Sequence, residues 1–81
     1  MEERVSLIGI IVENIDSTDQ LNALLHEYGR YIIGRMGIPY PKKEVNIISI
    51  ALDAPLDVIN TLSGKIGQLE GISSKVVCSK A

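Results

Sequence analysis

The side chains able to do chemistry on their own are few in this sequence, and their spacing restricts what they can do. His26 is the only histidine and Cys78 the only cysteine. A histidine acting as general base needs a partner within hydrogen-bond reach, and no nucleophile–base–orienter order can be traced around His26. It reads as a residue on the polar side of a helix. A nucleophilic cysteine needs a base or a pKa-lowering neighbour. Cys78, late in an alternating stretch, reads instead as a small apolar residue of an edge strand. No His-x-His or Cys-x-x-Cys spacing is present, so no metal site and no cofactor is expected of one chain. Only a metal shared between two chains around His26 or Cys78 stays open. Without a nucleophile–base pair, the expectation is a protein that is not an enzyme and has no catalytic residues.

Two stretches come closer to a binding function. Ser63-Gly64-Lys65 resembles the end of a phosphate loop, but the glycine required five residues earlier is Ile59. Lys65 is then a cation near a helix C-terminus or a contact to an anionic ligand. Gly34-Arg35-Met36-Gly37-Ile38-Pro39-Tyr40 is the most unusual segment. Glycines within a strand permit close approach by a ligand or another chain. Arg35 offers a planar fork to a carboxylate, either a ligand's or that of Glu13, Asp16 or Asp53 on a neighbour.

The elements that must position these residues follow from the apolar pattern. Val5 to Val12 is short, β-branched and apolar at both alternating positions, as in a central strand covered on both sides. Ser17 and Gln20 have capping-box spacing. Leu21, Leu24, Leu25 and Tyr28 then form one helical stripe, with Gly29 at the expected C-terminal position. Tyr31 to Ile38 reads as a strand, Pro39 to Lys43 as a loop, and Val45 to Leu52 as a second central strand. Asp53 is placed to cap the next helix, with Pro55 in its first turn and Ile59, Leu62 and Ile66 as its stripe. Gly71 closes that helix. Ile72 to Cys78 alternates as an edge strand.

The two halves repeat. Val5 to Glu13 matches Val45 to Asp53 forty residues later, and each half reads strand, helix, strand. Two such units give an α+β ferredoxin-like βαββαβ sandwich: a four-stranded antiparallel sheet with two helices on one face. Residues 1–81 are expected to form a single domain. The first and third strands are the central pair of that fold, and these are the two strands that are apolar on both faces. Two helices cover only one face, so the other is predicted to pack against a second copy, giving a dimer or tetramer.

Bulk properties narrow the partners. The net charge of −2 and the absence of Trp and Phe argue against direct nucleic-acid binding, and Lys42-Lys43 reads as a solvated loop. The eight-residue apolar run at Val5–Val12 is too short to span a membrane, and its acidic front end does not suit a signal peptide. A lone cysteine fits a reducing cytoplasm.

Taken together, several segments resemble a known family. These are Leu25-His26-Glu27-Tyr28-Gly29, Tyr31 to Tyr40, Ile47-Ile48-Ser49-Ile50, Leu62 to Gly67, and Gly71-Ile72. The combination, over nearly the whole chain, is similar to the iron-only hydrogenase system regulators. The resemblance implies an ACT-like domain, similar also to the C-terminal sensor half of nickel-responsive repressors, where such domains assemble through their sheets. It does not extend to DNA repression or nickel sensing, because the sequence carries no ribbon-helix-helix arm and too few His and Cys ligands. By the same resemblance, an effector such as an amino acid would bind at Glu13, Asn14, Ile15 and Asp16, facing Gly34, Arg35 and Gly37 of a neighbour. Tyr40 and Lys65 are further candidate contacts. A carboxylate would be met by free N–H groups at the helix start after Asp16. The alternative is an interaction subunit without a small ligand, docking on a regulator or maturation protein through the Pro39–Lys43 loop and the edge strands.

Overall fold

The computed structural model describes residues 3–80. Strand β1 (Glu3–Val12) leads through a one-turn 3-10 segment (Ile15–Ser17) into helix α1 (Thr18–Glu27). Strands β2 (Ile32–Tyr40) and β3 (Val45–Pro55) follow, joined by a tight turn. Helix α2 (Leu56–Gly67) and strand β4 (Ile72–Cys78) complete the chain. The four strands form one antiparallel sheet in the order β2-β3-β1-β4, so the two strands that are apolar on both faces are the central pair.

The internal repeat has a spatial counterpart. β1 and β3 are antiparallel with Ile8 opposite Ile50 and Gly9 opposite Ser49. Gly9 and Ser49 are also equivalent positions of the forty-residue repeat. The approximate two-fold axis relating the halves therefore passes between these two small residues, at the middle of the sheet.

Strand alternation sends every second residue to the helices. On that face Ile8, Ile10, Val12, Ile50, Leu52 and Ala54 are buried, and Leu21, Leu25, Ile59, Leu62 and Ile66 close over them from the helices. Burying each Ile or Leu contributes about 1.5–3 kcal/mol, which is what holds the layers together. The one strand hydroxyl in this core, Ser6, is not left unpaired: it donates to Cys78 Sγ at 3.1 Å.

Local signals were less reliable than periodicity. Ser17 precedes α1 but makes no side-chain cap; its hydroxyl donates to the Glu70 carbonyl at 2.7 Å. Asn14 takes the capping role one turn earlier, its Oδ1 accepting the Asp16 N–H at 3.0 Å. Asp53 does not cap α2. It remains in β3, opposite Val5, because pairing with β1 continues to Pro55, whose conformation starts the helix. Gly29 opens a short 3-10 turn rather than ending α1, which Tyr28 closes through its N–H to the Leu24 carbonyl at 3.1 Å. Gly71 lies beyond α2, in the turn before β4, at φ +71°. β2 runs on through Pro39 and Tyr40, expected to be loop. An edge strand tolerates proline because its outer side pairs with nothing.

Candidate functional site

Three chain segments meet at one end of the sheet. The register places Val12 opposite Asn46 and Tyr40 opposite Val45, so the end of β1, the end of β2 and the start of β3 arrive together. Between them lies an open groove of about 680 Å³. Glu13, Asn14 and Ile15 form one wall; Pro39, Tyr40 and Pro41 form the other; Glu44, Val45 and Asn46 form the base with Val12.

The first wall is held from behind. The Glu13 N–H donates to the Gly71 carbonyl at 2.7 Å, and Ser17 Oγ reaches the adjacent Glu70 carbonyl. The turn before β4 is thereby latched to the β1–α1 turn. Gly71 is required there on two counts. Its positive φ disfavours a side chain, and a Cβ would stand 2.5 Å from Asn14 Cβ and 2.9 Å from its N. The other wall ends in the tight turn at Glu44, whose N–H donates to the Pro41 carbonyl at 3.1 Å and whose φ of 55° is left-handed.

Three amides at this helix start are engaged within the turn. The Asp16 N–H bonds the Asn14 side chain, the Ser17 N–H the Asn14 carbonyl at 3.0 Å, and the Thr18 N–H the Ile15 carbonyl. Among the expected contacts, Glu13, Asn14, Ile15 and Tyr40 share the groove, whereas Asp16 is exposed just outside it. Gly34, Arg35 and Gly37 lie elsewhere along β2. Arg35 is opposite Ile50, five residues along β3 from Val45, about 16 Å at ~3.3 Å per residue. Its Nη2 donates to Asn22 Oδ1 on α1 at 2.8 Å. Lys65 is on the helix layer, 3.9 Å from Glu27 and 5.3 Å from the centre of the Tyr28 ring. Hydrogen bonding and charge from Tyr28, with the Glu27 carboxylate, raise its pKa above the ordinary lysine value. Glu44 and Asn46 were not anticipated. Counting the β2–β3 hairpin from Tyr40 to Val45 would have brought them to Glu13, but the two prolines concealed where β2 ends.

A second feature lies on the sheet face away from the helices. Val5, Leu7 and Ile11 of β1 stand beside Ile47 of β3, with Met36, Ile38 and Tyr40 on β2 and Val77 on β4. All are exposed, Leu7 by 48% and Val77 by 67%. At their centre lie Gly9 and Ser49, and a Cβ added to Gly9 would meet nothing within 4 Å. The face thus has a shallow hollow surrounded by apolar side chains, with Glu3, Asp53 and Lys75 as its charged residues.

His26 is exposed and Cys78 half-buried beside Ser6. Among the described residues no group of three or more His, Cys, Asp or Glu could hold a metal ion. No described helix is long and apolar enough to cross a membrane.

Comparison with known proteins gives a consistent result. Residues 4–76 match the model of the TM1266-like family, described as "Iron-only hydrogenase system regulator, putative". Protein TM1266 from Thermotoga maritima has a solved structure that superposes with a TM-score of 0.93 at 35% identity, covering 98% of this chain and 100% of that one. A formyltetrahydrofolate deformylase from Pseudomonas putida KT2440 shares the fold alone: its TM-score is 0.68 at 11% identity, over 95% of this chain and 29% of the enzyme. No curated protein matches.

Proposed function

Because this chain belongs to the TM1266-like family, we propose that it is a non-enzymatic regulatory domain of the iron-only hydrogenase system. It senses a small effector in the groove at the end of the sheet and assembles with further copies through the open sheet face. The observation that carries the sensing role is the groove itself. The β1–α1 turn, latched by Gly71, faces a wall that ends in Tyr40 and Glu44. A ligand touching both would tie together two turns that the chain joins only through the sheet.

The open face supports the assembly role. An exposed apolar patch of this extent is characteristic of an interaction surface. Glycine within a central strand costs about 0.5–1 kcal/mol relative to alanine, and no neighbour within this chain requires one at position 9. A side chain from a second copy filling the hollow would account for it. Glu3, Asp53 and Lys75 give the face charges of both signs. Arg35 lies on the helix side at the β2 edge, with Gly34 and Gly37 on the same strand. It reaches a neighbour's groove only where copies also meet along that edge.

A thermal-shift screen with the mass in solution recorded alongside tests this reading. The panel holds amino acids, amines, nucleotides, and iron, nickel and zinc salts. A concentration-dependent rise in the midpoint with one ligand class supports an effector sensor. Loss of that rise in Glu13→Gln places the effector in the groove, and loss in Arg35→Ala brings in a neighbour's β2. A flat response from a stable oligomer favours the second reading, in which the open face and edge strands dock a partner protein with no small ligand. Recovery of only the homo-oligomer from native cells counts against that second reading.

A further inference from the structure

The lining of the groove specifies the charge of what it holds, and this inference rests on the groove being the effector site. We infer that its ligand is an organic ammonium ion with an apolar body and no carboxylate. Among the described residues the lining carries two carboxyl groups, those of Glu13 and Glu44, and no Lys, Arg or His. Lys42 and Lys43 occupy the adjoining turn but do not line the groove. An anionic group entering would meet two carboxylates. Nor are the amides of Asp16, Ser17 and Thr18 open to it, since they are bonded within the turn.

A cation meets the opposite situation. Two carboxylates attract it, and Tyr40 brings to the lining an aromatic side chain of the kind that attracts an ammonium. Asn46 adds a polar residue to the lining. The remaining walls are apolar, from Pro39, Pro41 and the aliphatic residues, and favour a ligand with an apolar body over a bare or hydrated ion. A zwitterionic amino acid satisfies half of this arrangement and places its carboxylate against the other half.

Three ligands sharing one body and differing only in charge test the inference by calorimetry on the full chain: phenethylamine, L-phenylalanine and phenylacetate. Phenethylamine is expected to bind at least about tenfold more tightly than phenylalanine, a difference of about 1.4 kcal/mol, and phenylacetate not at all. Added salt should weaken amine binding, as expected of exposed charges. E13Q/E44Q should remove the preference for the amine while leaving the unliganded melting midpoint unchanged, and Tyr40→Leu should weaken the amine at intact carboxylates. Equal or tighter binding of phenylalanine or phenylacetate overturns the inference, as does amine binding indifferent to E13Q/E44Q, or no binding by any of the three. The sensor reading is judged separately. An anion or zwitterion from the wider screen that loses its effect in Glu13→Gln would retain the groove as a sensor and reject the ammonium.

Discussion

The two faces of this sheet use nearly the same residues to opposite ends. Along β1, Ile8, Ile10 and Val12 are buried beneath the helices, while Val5, Leu7 and Ile11, of the same types and on the same strand, face outward and are exposed. β3 repeats the contrast with Ile48, Ile50 and Leu52 against Ile47. Residue type therefore does not distinguish core from surface here; the helix layer does. The faces differ most in their centres. The covered face packs Ile8 against Ile50, whereas the open face has Gly9 opposite Ser49. One centre is filled by its own chain, and the other is left unfilled by it.

The sharpest way to break this comparison is to truncate one residue on each face. Ile50→Ala should lose about 2–5 kcal/mol of unfolding free energy in urea, because it leaves a cavity under α1 and α2. Leu7→Ala, measured where the protein is dissociated, should lose no more than about 0.5 kcal/mol, as expected for an exposed site. If the two losses were equal in the dissociated state, the open face would not be a surface awaiting a partner.

Gly71→Ala should follow at about 1–3 kcal/mol, from its positive φ and the approach of Asn14. Amide chemical shifts from Glu13 to Ser17 should move with it, because the Glu13 N–H is bonded to Gly71. A stability loss with those shifts unchanged would mean that the latch does not set the groove's first wall.

Gly9→Val should act in two directions. The dissociated chain should become more stable by about 0.5–1 kcal/mol, since a strand residue replaces glycine in open space. The assembly should weaken, seen as a smaller mass at equal concentration in sedimentation. An oligomer unaffected by valine at the centre of the face would sharpen the comparison by moving the contact to the edges.

The smallest effect belongs to Lys65→Met. The folded chain raises this lysine's pKa, so its contribution is complete below the unfolded value near 10.5 and is lost only as pH rises through the folded value. The variant's midpoint should track the parent's from pH 6 to pH 9 and approach it further above pH 10.5. A change in the difference between the two near neutrality would point to another group.

The fold was legible because it depends on periodicity, which survives local errors. The stripes Leu21–Leu25 and Ile59–Leu62–Ile66 are the buried faces of α1 and α2, and the repeat identified the central strands. Caps were less legible, since a serine or aspartate hydroxyl or carboxylate takes whichever partner the tertiary fold brings near. Ser17 turned to Glu70, fifty-three residues away. The candidate site was half legible. Glu13, Asn14 and Ile15 follow a strong strand and lie at its end, where Tyr40 joins them in the groove. Arg35, offered in sequence to a carboxylate of a ligand or a neighbour, lies on the helix side, where its Nη2 donates to Asn22 Oδ1.

By itself, then, the order of apolar residues determined two βαβ halves, their antiparallel union and the pairing of β1 with β3, because burying both stripes and both greasy strands leaves few other arrangements. Only the tertiary structure decided that Glu44 and Asn46 meet Glu13, that Gly71 sits against Asn14, and that the amides of the first turn are already bonded. The first two of these join residues about thirty to sixty positions apart, and their distances follow from register and turn geometry, which no local pattern encodes.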